Sequence, residues 1–233
     1  MYIYIIIIMS KNISEFIPEL LPIEKSLHDQ INSVKSTIIK ILVNRNFINK
    51  ENEEKYIKNL INDDNEDMEY IIKLDNSKNY NSEIKNKKII VKFFDYKITS
   101  INKSSPIGEF ITQHSNEYIF IIVDDINSKS ENTLTDYSEN IEIFKFNNLQ
   151  FNIIDHDLVP KHIVLNEEES KNVMATYRAK KRDMILVRTN DPIAKYYKMK
   201  SNDVVKIIRD STVTCDSVSY RLVIKSKDTR AKT

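Results

Sequence analysis

Asp95, Tyr96 and Lys97 stand at the end of an apolar run, Ile89–Phe94, with Asp75 and Glu83 upstream. Two carboxylates on Mg²⁺ and a lysine assisting the attacking water are the parts of a metal-dependent nuclease. The triplet is a weak signal in a chain with 35 basic and 34 acidic residues, where D-x-K arises by chance. A solvated strand end is the plainer reading.

Other reactive side chains offer less. The four histidines, His28, His114, His156 and His162, have neither a C-x-x-C partner nor H-E-x-x-H spacing, so zinc is not indicated. His156 lies between Asp155 and Asp157, but successive side chains of an extended strand point to opposite faces and cannot converge on one ion. Asn62–Asp67, "NDDNED", lacks the glycine and later glutamate of an EF-hand and reads as a solvated acidic loop. Cys215 is the single cysteine, so no internal disulfide forms. No neighbouring base marks it as a nucleophile. With one glycine, Gly108, a glycine-rich phosphate loop is impossible. No cofactor and no small-molecule substrate are expected on this chain.

The elements behind these residues fall into two groups. Ile31, Val34, Ile38, Ile41 and Leu42 recur at helical spacing, and Asn44, Asn46 and Phe47 mark the helix end. A second helix is read over Glu51–Ile61, with Tyr56, Ile57, Leu60 and Ile61 inward. Met68–Leu74, Ile89–Phe94, Tyr118–Val123 and Ile141–Phe146 are rich in β-branched and aromatic residues and read as strands. Pro106–Gln113 and Ser130–Tyr137 read as helices between them. This alternation predicts a mixed sheet covered by helices.

Further along, Asn166 and Glu169 form a capping pair, with Val173, Met174 and Tyr177 as the buried face and Arg178 and Lys180–Arg182 at the far end. Asp191–Pro192 starts a short helix packed by Ile193, Ala194 and Tyr197. Val204–Arg209 and Ser217–Ile224 read as antiparallel strands across a loop containing Cys215. A strand apolar on both faces needs cover on both, and one helix layer leaves a face open.

Charge divides at the same place. From Asp157 onward there are 17 basic and 10 acidic residues, leaving 18 and 24 for the rest, or +7 against −6. A domain boundary near Asn152–Asp157 follows. A basic half can bind nucleic acid, and it reads equally as a solvated face or as a surface that docks on an acidic partner subunit. Tyr2–Met9 is apolar but far short of the roughly twenty residues a bilayer requires, and it lacks the basic start and cleavage site of a signal peptide. It reads as an irregular extension, with Met9 as an alternative start, and no membrane association is expected.

Four blocks then carry a resemblance. "LVPKH" (Leu158–His162) and the acidic helix start at Asn166–Glu169 come first. "DPIAKYYKMKSNDVVKIIR" (Asp191–Arg209) and "SYR" (Ser219–Arg221) follow. In this order and spacing they resemble the fifth subunit of eukaryotic nuclear RNA polymerases and its smaller archaeal counterpart. "INSVKSTIIKILVNRNFI" and "KKIIVKFFDYK" resemble the jaw domain of the eukaryotic members, which archaeal members lack. Two departures stand out. The family's glycine-bearing turn is replaced by Tyr197–Asp203, where Asn202 or Asp203 must take the left-handed conformation. Its Pro-Arg pair is replaced by Ile185–Leu186.

The resemblance implies an α+β fold with an irregular extension (1–9), a jaw-like domain (10–152), a polymerase assembly domain (153–226) and a basic tail (227–233). It implies a non-catalytic subunit anchored on the largest polymerase subunit and in contact with other subunits, its jaw beside the downstream DNA duplex. Mg²⁺ belongs to the catalytic subunits. Leu158, Pro160, His162, Asp191, Pro192, Tyr196, Val205, Ile207, Arg209, Tyr220 and Arg221 carry the resemblance and are the expected docking and fold residues. The abundance of Asn, Ile and Lys reads as an AT-rich genome, and with the resemblance implies a large DNA virus or an AT-rich unicellular eukaryote. The setting would be intracellular: host cytoplasm, virus factory and virion for a virus, the nucleus for a cell. The alternatives are the nuclease above and a free-standing DNA-binding regulator, for which no helix-turn-helix or RNP signature is present.

Overall fold

A computed structural model describes residues 25–225 except 64, 66, 77–87, 103–104, 139 and 212–214. The apolar extension 1–9, the tail 227–233 and Glu83 therefore lie outside the described residues. Met1–Gln30 and Ile31–Thr233 form separate compact units. Within the first, the Ser26 hydroxyl donates to Asp29 at 2.7 Å and accepts the Asp29 N–H at 3.2 Å.

The chain is a mixed α+β fold with two four-stranded sheets. Helix α1 (Leu27–Asn44) buries Val34, Ile38, Ile39, Ile41 and Leu42. It ends because Asn46 adopts φ 62°, which lets the Phe47 and Asn46 N–H groups close on the carbonyls of Leu42 and Val43. A single 3₁₀ turn leads into α2 (Glu53–Ile61). Strand β1 (Glu69–Lys73) pairs antiparallel with β2 (Lys88–Phe94). Helix α3 (Pro106–Gln113) and helix α4 (Ser128–Tyr137) then return the chain so that β3 (Tyr118–Val123) and β4 (Ile141–Lys145) run parallel to β2. Helix α5 (Phe146–Leu149) follows. The order is β1-β2-β3-β4.

Both faces of this sheet are covered. Ile89, Val91, Phe120 and Ile122 pack with the buried residues of α1 and Leu60 of α2. Ile90, Ile119, Ile121 and Val123 pack with Ile107, Phe110 and Ile111 of α3 and Leu134 of α4. All six residues of β3 are buried, which explains why its sequence carries no period-2 alternation.

The second sheet has order β5-β7-β8-β6. It comprises β5 (Lys161–Val164), β6 (Ile185–Arg188), β7 (Val204–Ser211) and β8 (Cys215–Ile224), with α6 (Glu167–Thr176) and α7 (Pro192–Tyr196) between strands. Only β7 and β8 were expected. Strands β5 and β6 have four residues each, too few for a periodic signal, and both take edge positions. Cys215 begins β8, opposite Ser211, and does not sit in a loop.

Three further expectations change. Helix α6 stops at Thr176, so Arg178 and Lys180–Arg182 lie beyond it; Arg178 holds φ 49° and 181–183 form a separate 3₁₀ turn. Tyr177 is exposed and lies against Tyr220, not in a core. The face expected to stay open beside β7 is closed at its centre: Val204 and Leu222 on one side, and Val205, Ile207 and Val223 on the other, are buried, while Ile208 is half-buried and its partner Val218 exposed. The glycine-free turn uses two left-handed residues, the expected Asn202 (φ 78°) and also Lys198 (φ 50°). No described helix is long and apolar enough to cross a membrane.

Candidate functional site

The motif residues of the second sheet sort by register. His162 lies opposite Ile207, and Val205 opposite Arg221. Alternation along β7 then puts His162, Val205, Ile207, Arg209 and Arg221 on one face. Val205 and Ile207 form the core of that face with Val223 and with Ala194 and Met199 from α7 and its following turn. Tyr220 points to the opposite face, where Tyr177 meets it with ring centroids 5.6 Å apart.

Around that core the polar motif residues have defined tasks. Asp191 Oδ1 accepts the Ile193 N–H at 2.9 Å, and Pro192 occupies the first turn, so this pair sets the start of α7. In "LVPKH", His162 Nδ1 donates to the Pro160 carbonyl at 2.6 Å, and the Leu158 N–H donates to His156 Nδ1 at 3.2 Å. The segment is thus a turn that bonds to itself and leads directly into β5. Burial pushes the His162 pKa below the ordinary histidine value; the Pro160 carbonyl and Asp191 oppose this, and the Arg221 charge adds to it. Arg221 is half-buried, and its Nε makes no hydrogen bond among the described residues.

Exposure separates packed residues from solvent-facing ones. Leu158 is 85% exposed, and Arg209 is exposed. Three exposed apolar residues, Tyr177, Ile185 and Val218, belong to the same module and escaped the sequence reading. Tyr177 was hidden by its helical spacing, Ile185 and Val218 by their ordinary strand context. Ile185 lies opposite Arg221, so it extends the His162–Arg209 face toward the β6 edge. Tyr196 leaves this group altogether. Its ring is buried in the core of the first sheet, its hydroxyl accepts from Asn44 Nδ2 at 2.8 Å, and burial pushes its pKa up to about 12.

The geometry offers binding chemistry: an apolar centre and exposed cations on a basic module. The alternative centre at the end of β2 is occupied by ion pairing. Lys97 Nζ and Lys145 Nζ each hold Asp125 at 2.7 Å, and the two hydrogen bonds draw its carboxyl well below the usual range. Asp75 accepts from the Asn49 N–H, Asn52 and Tyr56, which fastens the turn after α1. Lys97 and Asp75 therefore serve structural contacts. Among the described residues, no three of His, Cys, Asp and Glu gather in a metal-binding group.

Residues 151–223 match the family model described as RNA polymerase Rpb5, C-terminal domain. The chain is 28% identical over 210 residues to DNA-directed RNA polymerase subunit 5 of Acanthamoeba polyphaga mimivirus, covering 88% of this chain and 97% of that protein. It is 32% identical over 131 residues to the subunit rpabc1 of RNA polymerases I, II and III of Dictyostelium discoideum, covering 54% of this chain and 66% of that one. It is 44% identical over 71 residues to subunit Rpo5 of Methanothermobacter thermautotrophicus, covering 30% of this chain and 92% of that protein. The archaeal protein is thus matched over nearly its whole length by a third of this chain, the viral protein by almost all of it.

Proposed function

This chain belongs to the Rpb5 family of subunits of multisubunit DNA-directed RNA polymerases, and on that premise we propose that its second-sheet module anchors it on the largest polymerase subunit. It is a polymerase subunit that takes part in transcription. Residues 153–226 act as the assembly domain and 10–152 as a jaw beside the incoming downstream duplex. The chain carries no catalytic site and no cofactor; nucleotidyl transfer takes place on the two largest subunits with Mg²⁺. Its likeness to a mimivirus subunit along almost the entire length of that protein supports a viral origin, and hence work in the host cytoplasm, the virus factory and the virion. The first region's balance of −6 speaks against an independent grip on DNA, whose affinity comes from neutralised phosphates.

The observation that carries the anchoring role is the exposed rim of a well-packed motif face: Leu158, Ile185 and Arg209 stay open to solvent around a core closed by α7. Burial of such apolar surface contributes roughly 25 cal/mol per Å² on docking. Affinity purification of the tagged chain from its native cells or infected host is the test. The two largest polymerase subunits are expected in near-equal amounts with it. Leu158→Asp and Arg209→Glu are expected to lower that recovery without unfolding the chain. Recovery of the tagged chain alone would overturn the reading.

A further inference from the structure

A buried ionic node ties the two sheets together through Arg45 and Glu142, neither of which belongs to the four motif blocks. Arg45, the residue that follows α1, has a side chain with 0% exposure. Its Nη1 and Nη2 donate to the two carboxylate oxygens of Glu142 on β4 at 2.7 and 2.8 Å. On its other side, Nε donates to the Tyr196 carbonyl at 2.8 Å and Nη2 to the Lys195 carbonyl at 2.9 Å. These carbonyls end α7, where a cation is favoured by the helix dipole. One planar guanidinium is therefore held by the first sheet through its carboxylate partner and by the motif module through two backbone atoms.

The surroundings repeat this link. Lys198 Nζ donates to the Tyr118 hydroxyl at 2.5 Å, lies 4.2 Å from the Tyr118 ring centre and approaches Glu142 at 3.7 Å. The Tyr118 hydroxyl in turn donates to Glu142. Lys195 pairs with Glu131 on α4, Asn44 donates to Tyr196, and Lys40 pairs with Asp155 at 2.9 Å. Burial alone would push the Glu142 carboxyl up, but Arg45, Lys198 and Tyr118 together bring it below the ordinary value, so it stays ionised. Bidentate pairs fix orientation as well as distance, which apolar packing does not. In some folds a buried polar group sets one arrangement at a cost in stability, as register-setting polar residues do.

We infer that Arg45 is a positioning residue that locks the first sheet and the motif-bearing sheet into one rigid lever. The strap needs the longer chain: a match of 71 residues, as with the archaeal relative, cannot span both Arg45 and Glu142, which stand 97 positions apart. In this chain the end of α7 faces a partner supplied in cis. The inference concerns the free chain and stands or falls apart from the anchoring reading above.

The test is a spin-label distance measured on the full chain. Cys215 is replaced by serine, and labels are attached at Lys73→Cys on β1 and Ser217→Cys on β8, both exposed positions. One narrow distance is expected. Arg45→Met with Glu142→Met removes both ions of the bidentate pair together and leaves Lys198 Nζ on the Tyr118 hydroxyl. Arg45→Lys keeps the charge but loses the fork. Each is expected to lose the single narrow distance while the helical and strand signal is kept. A distance that stays equally narrow in a folded variant would overturn the inference, since apolar packing would then set the angle. Hydrogen exchange of the unmodified chain tests the same point without mutation. Backbone amides of β3 and β7 are expected to share one opening free energy, and two separate values would overturn the lock.

Discussion

The two sheets bury their centres by different means. In the first, β3 lies between helices on both faces, and all six of its residues are buried. In the second, one five-residue helix closes the core of the motif face, and Leu158, Tyr177, Ile185 and Val218 remain exposed nearby. Most of the hydrophobic stabilisation therefore sits in the first region, while the second keeps apolar surface open.

The largest way to break this contrast is to remove the first region's central ring. Phe120→Ala is expected to cost about 3–5 kcal/mol, read as a fall in the urea midpoint, because Phe120 is fully buried between β3 and α1. A loss below about 1 kcal/mol would mean that stability is not concentrated there.

A smaller change should sharpen it in the other direction. The second region ends both of its helices on left-handed non-glycine residues, Arg178 and Lys198. Each closes the same pair of bonds seen after α1: Arg178 and Ala179 to Ala175 and Met174, Lys198 and Met199 to Lys195 and Ala194. For such residues that conformation costs about 1–2 kcal/mol. Arg178→Gly is expected to stabilise the chain by about 1 kcal/mol, seen as a higher melting temperature. No gain would show that contacts of the Arg178 side chain offset the strain.

The smallest effect is one of pH, and it separates the regions by range. Hydrogen bonds from Asn52 and Asn49 hold Asp75 below the ordinary carboxylate value, and those from Lys88 and His114 do the same for Glu117. Their unfolded forms take up protons first as pH falls through about 4, so the first region loses their contribution only in acid. His162 is also depressed, by burial, but from about 6.5. The unfolded chain binds that proton first, so stability falls as pH drops through about 6.5 toward the folded value. The urea midpoint is expected to decline between about pH 7.5 and 5.5, and to decline less in His162→Gln. An equal decline in both would show that His162 is not held neutral.

The first region was largely legible in the sequence because its elements announce themselves locally. Tyr118–Val123 is a continuous β-forming run, and Ser105-Pro106 supplies both a cap and a first-turn proline. In the second, the reciprocal cap of Asn166 and Glu169 was equally readable. Strands of four residues were not, nor was the fate of Tyr177, whose helical spacing continues one step past the helix itself. Arg45 was the least legible. A charged residue after a helix reads as solvated, and its acceptors are 97 and 151 positions away in the chain. Which motif residues are framework and which are rim depended likewise on pairing register, a long-range property.

The depth of β3 carries a hazard during synthesis. "YIFIIV" is a short uncharged run of strong β formers, the composition that stacks with copies of itself when left uncovered. On the growing chain, α1, α2, β2 and α3 emerge before it and supply cover for both faces, but the parallel neighbour β4 and helix α4 follow only later, so one edge of the strand stays unpaired. Glu117 on one flank and Asp124 and Asp125 on the other are charged neighbours of the kind that keep such a run from self-pairing. Like charges at both ends of the run set self-pairing of two copies at a disadvantage while its β4 edge is still open.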